Sequence, residues 1–337
     1  MNIDPYPTPE PIAFERSSRE LGVVVGFDGS TQSILALHYG ALEAQRSGRA
    51  LTVVTAFKIP VQVYATLAAL PEESDATHAL EAAAIVLNDA RRYLQGYPGK
   101  VDYRSARGDA AGVLKELSRS AELMVVGARG HGGFLGRMLG SVSSALPAHA
   151  GCPTIVVPRH FKVSDAEGAA RFAPQPDSRP VIVGMDGSRH SRVAALHAAQ
   201  AADDRGTTLR LLMALPALKG WLEWYPELDP LGEGVVQRRK AELERDLQAE
   251  AAWIGTHFPH LTIEAAVDPG DPIAQLIAAA RDAQLTVVGT RGRSGFTGAL
   301  MGSVSRGVVL RAAGPVMIVP DLKDERLSDQ PEPQQQA

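Results

Sequence analysis

Gly127-Ala-Arg-Gly130 is followed by nine residues and then by Gly140-Ser141. The same spacing returns 162 positions later, as Gly289-Thr-Arg-Gly292 and, nine residues on, Gly302-Ser303. A glycine-rich loop that runs into a helix start is suited to holding an anion. Glycines let backbone N–H groups come close to phosphate oxygens. A helix beginning at Gly140 or Gly302 adds unpaired N–H groups and the positive end of its dipole.

Other markers repeat beside the loops. Val-Val-Val-Gly-Phe-Asp28-Gly-Ser30 returns as Val-Ile-Val-Gly-Met-Asp186-Gly-Ser188. Gly108-Asp109 returns as Gly270-Asp271, and Thr154-Ile-Val-Val-Pro158 as Val316-Met-Ile-Val-Pro320. In a chain with 32 glycines one copy of the spacing is only suggestive; two copies in register mark a duplication. Repetition at this scale means two domains, since a solenoid repeats every 20–50 residues. The 337 residues leave room for two cores of about 140–150 residues each.

Composition narrows the function classes. A net charge of -4 argues against a general binder of nucleic acid or anionic membrane. No run approaches the ~18 apolar residues of a membrane span. The first twenty residues carry prolines and acids where a signal peptide has a basic stretch and an apolar core. The single cysteine, Cys152, cannot form an internal disulfide and reads as a small core filler, which suits a reducing compartment. A cytoplasmic protein is expected.

Residues 1–19 read as a flexible arm, 159–179 as a linker, and the tail from Asp321 as disordered. Between them, short apolar runs alternate with helical patterns in each half, over 20–158 and 180–320. This predicts an α/β fold: two tandem doubly wound parallel five-stranded sheets, each with helices on both faces. Right-handed crossovers and one reversal give strand order 3-2-1-4-5. Strands 1 and 4 are then neighbours at the switch point, where ligands bind beyond the strand carboxyl ends. Asp28 leaves strand 1 and the Gly127 loop leaves strand 4, so they flank one crevice. Asp186 and the Gly289 loop do the same.

The loops lack Gly-Lys-Ser/Thr, so they are not P-loops. Strand 1 is followed by Gly-Phe-Asp-Gly-Ser, which disfavours a dinucleotide site. What remains is a mononucleotide crevice. Its phosphates would sit on N–H groups of 128–143, helped by the Ser141 and Ser143 hydroxyls and by Arg129 or Arg291. Asp28 could accept hydrogen bonds from a ribose hydroxyl or an adenine amine, or could simply cap a helix. No Ser/His/Asp order, paired carboxylates or metal-holding pattern stands out.

At these residues the chain resembles a tandem universal stress protein of the ATP-binding kind, with two UspA-like domains over roughly 21–158 and 180–320. The Gly-x-x-Gly-(nine)-Gly-Ser run is that family's nucleotide signature. The resemblance implies an adenine nucleotide alpha hydrolase-like fold and a nucleotide-dependent stress-response regulator with little or slow hydrolysis. A slow ATPase or adenylyl-transferring enzyme is the alternative. It implies ATP at two sites, with Mg²⁺ brought by the nucleotide. Asp28 and Asp186 would line the adenosine pockets, and Ala56 and Ala214 would offer backbone groups to adenine. Gly127, Gly130, Gly140, Ser141 and Ser143 would cradle phosphates in the first site. Gly289, Gly292, Gly302, Ser303 and Ser305 would do so in the second. It further implies domain pairing through the last strands, 154–157 and 316–319, and an unidentified protein partner, with monomer and homodimer both open. Two features depart from the pattern: Pro147 inside the helix after the first loop, expected to kink or shorten it, and the aromatic run Trp221–Tyr225.

Overall fold

Three valines in a row explain where the first sheet begins. Val23, Val24 and Val25 are at most 1% exposed, in a strand covered on both faces. Fully burying each such side chain contributes roughly 1.5–3 kcal/mol. The strand, β1 (Val23–Gly26), runs into Asp28-Gly29-Ser30, where Gly29 takes φ 79°, a left-handed turn that favours glycine. Ser30 then caps α1 (Thr31–Ser47) by accepting the Ser33 N–H. The computed structural model describes residues 10–59, 72–130, 139–216, 229–292 and 301–329. Trp221–Tyr225 therefore lies outside the described residues.

The first unit continues with β2 (Leu51–Phe57), α2 (Glu72–Tyr93), β3 (Val101–Arg107), α3 (Ala110–Leu117), β4 (Leu123–Gly127), α4 (Ser141–His149) and β5 (Thr154–Val157). All pairings are parallel: β3 with β2, β2 with β1, β1 with β4, and β4 with β5. The order is thus 3-2-1-4-5, as read from the alternation of elements. Val25 stands opposite Val125, so the carboxyl ends of β1 and β4 lie side by side.

The second unit repeats this with β6 (Val181–Met185), α5 (Arg189–Asp203), β7 (Leu209–Leu215), α6 (Asp229–His257), β8 (Ile263–Pro269), α7 (Pro272–Ala279), β9 (Leu285–Gly289), α8 (Ser303–Arg311) and β10 (Val316–Val319). Its parallel ladders join β8 to β7, β7 to β6, β6 to β9 and β9 to β10. Pro147 does not shorten α4, which has nine residues, as α8 does.

The segments between and beside the sheets are packed where they are described. The first compact unit starts at Phe14, and residues 10–13 belong with the second. Ile12 and Ala13 pair as a short strand with Leu322 and Lys323, and Leu322 is fully buried. Arg19 is 7% exposed and donates to the Ser118 carbonyl at 2.9 Å, at the end of α3. The expected linker is not wholly a linker, because 159–175 belong to the first unit. Phe172 is fully buried there, its ring 5.6 Å from that of His38 and 5.4 Å from that of Tyr97. The expected disordered tail likewise packs as far as Asp329, with Arg326 paired to Asp324 at 2.7 Å and set over the Phe258 ring. Cys152 is fully buried, and burial pushes its thiol pKa far up, as a core filler requires.

Candidate functional site

Asp28, Ala56, Gly127, Arg129, Gly130, Gly140, Ser141 and Ser143 all line one cavity of about 500 Å³ in the first unit. They come from four separate stretches of chain and meet because β1 and β4 are neighbours. In the second unit Asp186, Ala214, Gly289, Arg291, Gly292, Gly302, Ser303 and Ser305 line a cavity of about 370 Å³. Every residue expected at a crevice is therefore in it.

The helix starts around these cavities are not alike. Ser30, Asp109, Ser188 and Asp271 each cap a helix by accepting an N–H three residues on. Gly140 and Gly302 have no side chain with which to cap α4 and α8. The first N–H groups of those two helices, at Ser141–Ser143 and Ser303–Ser305, lack intrahelical acceptors by position. They open on the cavity with the positive end of the helix dipole behind them. This is the arrangement that receives an anion.

The three glycines of each signature have structural causes of their own. A β-carbon on Gly127 would lie 2.7 Å from the carbonyl oxygen of Gln32 in α1, so that position is set by strand–helix packing. A β-carbon on Gly130 would collide with Oδ2 of Asp28, and one on Gly292 with Oδ2 of Asp186. Gly140 closes the loop by giving its N–H to the Ala128 carbonyl at 2.9 Å, and Gly302 gives its own to Thr290 at 2.8 Å. Those two amides are thus engaged within the loop. So are the serine hydroxyls two positions past the helix starts. Ser143 donates to the Ala128 carbonyl at 2.8 Å, and Ser305 to the Gly289 carbonyl at 2.6 Å. Ser143 and Ser305 hold the loop exits shut, a direction of the hydroxyl that spacing alone does not reveal.

Asp28 and Asp186 both act in turns. Each accepts, through Oδ1, the N–H two residues on, at 3.0 Å. At the end of β1, the Phe27 N–H donates to the Val54 carbonyl at 2.8 Å. Gly26 opposite Val54 is the last pair of that ladder. Two residues further, Ala56 presents its backbone groups toward the same side, past the end of β1. Ala214 holds the matching place at the end of β7.

The second crevice also uses residues absent from the signature: Arg239 and Leu243 of α6, and Pro272 and Gln275 of α7. Their places could not be read from spacing, because no motif ties a turn of α6 to the strand ends. Among the described residues no group of three or more His, Cys, Asp or Glu could hold a metal ion. No helix among the described residues is long and apolar enough to cross a membrane.

Two doubly wound domains, each with an uncapped helix start at its switch point, define a duplicated α/β protein. The universal stress protein family model matches the chain twice, over residues 22–158 and 178–320. A universal stress protein of Mycolicibacterium smegmatis is 34% identical over 312 residues, covering 90% of this chain and 98% of its own. One of Mycobacterium tuberculosis is 31% identical over 307 residues, covering 88% and 96%. The crystal structure of a universal stress protein from Archaeoglobus fulgidus shares the fold, with TM-score 0.62 and 18% identity over 90% of this chain and 99% of that one. The chain belongs to the universal stress protein family, a family of stress-response proteins, in its tandem form.

Proposed function

We propose that the protein is a nucleotide-dependent regulator in which each crevice binds an adenine nucleotide, with ATP as the ligand and Mg²⁺ carried on its phosphates. The carrying observation is the pair of uncapped helix starts facing Asp28 and Asp186. Phosphates lie on the N–H groups of Ser141–Ser143 and Ser303–Ser305, near Arg129 and Arg291. The base lies toward Ala56 and Ala214, whose backbone groups pass the ends of β1 and β6.

Binding with little turnover fits the lining residues. Among those described, Asp28 is the sole carboxylate in the first crevice and Asp186 in the second, and no histidine joins them. Each aspartate already holds a turn N–H. A slow ATPase is the second reading, and turnover measures it. Protein purified without added nucleotide is denatured and the supernatant chromatographed. Near two adenine nucleotides per chain are expected. No retained nucleotide, together with no ATP-induced rise in melting temperature, refutes the proposal. ADP release above roughly 1 s⁻¹ moves the protein to the enzymes.

A further inference from the structure

The two crevices differ at the end away from the glycine loops. In the second, β7 and α7 supply Met213 and Leu276, and α6 adds Leu243 and Arg239. The first has Val54, Ala56 and Leu114 in that region, and no residue of α2 among its described lining. Arg239 and Leu243 are four residues apart, so they share one face of α6. Leu243 lies one turn before the fully buried Leu247, and the matching turn of α2 carries Ala83 before Leu87. The second cavity is also the smaller, about 370 Å³ against about 500 Å³.

Strand order says what this end receives. β7 is separated from β9 by β6 alone, two strand spacings of about 4.8 Å each. A ligand with phosphates at α8 and a ribose above β6 brings its base to β7 and α6. There an apolar floor of Met213, Leu243 and Leu276 meets one planar cation. Arg239 is exposed and pairs with Glu242 at 3.0 Å, a surface pair that contributes little and gives way easily. A guanidinium lies flat on an aromatic face through its planar fork, whereas an ammonium makes only a point-charge contact there.

We infer that Arg239 is a specificity-determining residue of the second crevice, stacking on a purine base held against Leu243 and Met213. The second crevice consequently binds adenosine-bearing ligands more tightly than the first. This rests on the nucleotide reading of the crevices.

Calorimetric titration of the full-length, ligand-stripped protein with ATP, and separately with adenosine, tests it. The wild type shows two sites of unequal affinity for each ligand. Arg239→Ala weakens the tighter site about tenfold toward both ligands and leaves the weaker site alone. Its melting temperature without ligand stays unchanged, since the side chain is exposed. Arg239→Lys keeps the charge, lacks the planar face and loses affinity likewise. Two equal sites, unchanged affinity in Arg239→Ala, a loss confined to ATP, or recovery in Arg239→Lys each overturns the inference while leaving the nucleotide reading intact. A wild type that binds neither ligand removes both.

Discussion

Oδ2 of Asp28 rests against the α-carbon of Gly130, in the place a β-carbon there would need. Asp186 and Gly292 repeat the contact in the second unit. The strand-1 aspartate and the loop glycine are thus one packing unit, whichever ligand enters. Gly130→Ala should destabilise the first unit by displacing the carboxylate, and Asp28→Ala should remove the obstacle. Denaturant unfolding of the two single variants and the double variant measures this. The double variant should be more stable than the sum of the singles implies, with a coupling of about 0.5–3 kcal/mol. Additive effects would show that the carboxylate is not what excludes a side chain.

Ser141 offers a test that separates the N–H from the hydroxyl. It is the first residue of α4, where proline is well tolerated. Gly140 before it has φ -68° and ψ 165°, extended backbone that a following proline accepts. Ser141→Pro should therefore fold, yet lack the first amide facing the crevice. ATP affinity at that site should fall about 10- to 100-fold, the loss of a charge-assisted hydrogen bond. Ser141→Ala removes the hydroxyl alone and should cost less. Ser303→Pro is the same experiment in the second site. Equal losses in the proline and alanine variants would place the ligand on the hydroxyl instead.

Strand order and both crevices were legible because they follow from periodicity and from two loops in register. The adjacency of β1 and β4 already places Asp28 and Gly130 at one crevice. What the glycines do there was not legible. Their spacing suggests contact with phosphate, but it does not reveal that a β-carbon on Gly127 would meet the Gln32 carbonyl or one on Gly130 the Asp28 carboxylate. Hydroxyl directions were hidden for the same reason, since Ser143 and Ser141 look alike in a motif. Phe161 and Phe172 sit alone among polar and small residues, so no period betrayed that 159–175 pack on α1 and α2. Arg239 was invisible because nothing local ties a turn of α6 to the end of β7.

Phe172 fastens the segment that follows β5. Its ring meets those of His38, Tyr93 and Tyr97, with Arg171 set 4.3 Å over the Tyr93 ring. Phe172→Ala should cost about 3–5 kcal/mol of the first unit's stability, the usual figure for a buried aromatic truncated to alanine. Denaturant unfolding followed by tyrosine fluorescence reads it. A loss below about 1 kcal/mol would mean that the segment is held elsewhere and the ring is a passenger.

His38 makes the same contact sensitive to acid. It is 1% exposed, and its Nδ1 has no hydrogen-bond partner among the described residues. Burial, and secondarily the positive charge of Arg171, lower its pKa from 6.5 to about 4. The phenol of Tyr93 and the rings of Phe161 and Phe172 complete its surroundings. In the unfolded chain the imidazole takes its proton near pH 6.5, but in the folded one not until about pH 4. The neutral form is therefore the stable one. Stability is full above pH 6.5 and declines as pH falls toward 4, by about 3 kcal/mol in all. Carboxylates contribute to acid unfolding as well, so the informative quantity is a difference between variants. Counted from the caps Ser30 and Ser188, the second unit has the fully buried Leu196 at the position of His38. His38→Leu should accordingly fold, and its stability should fall less than the wild type's between pH 6.5 and 4. Parallel curves for the two proteins would mean that the imidazole finds a partner for its proton in the folded state.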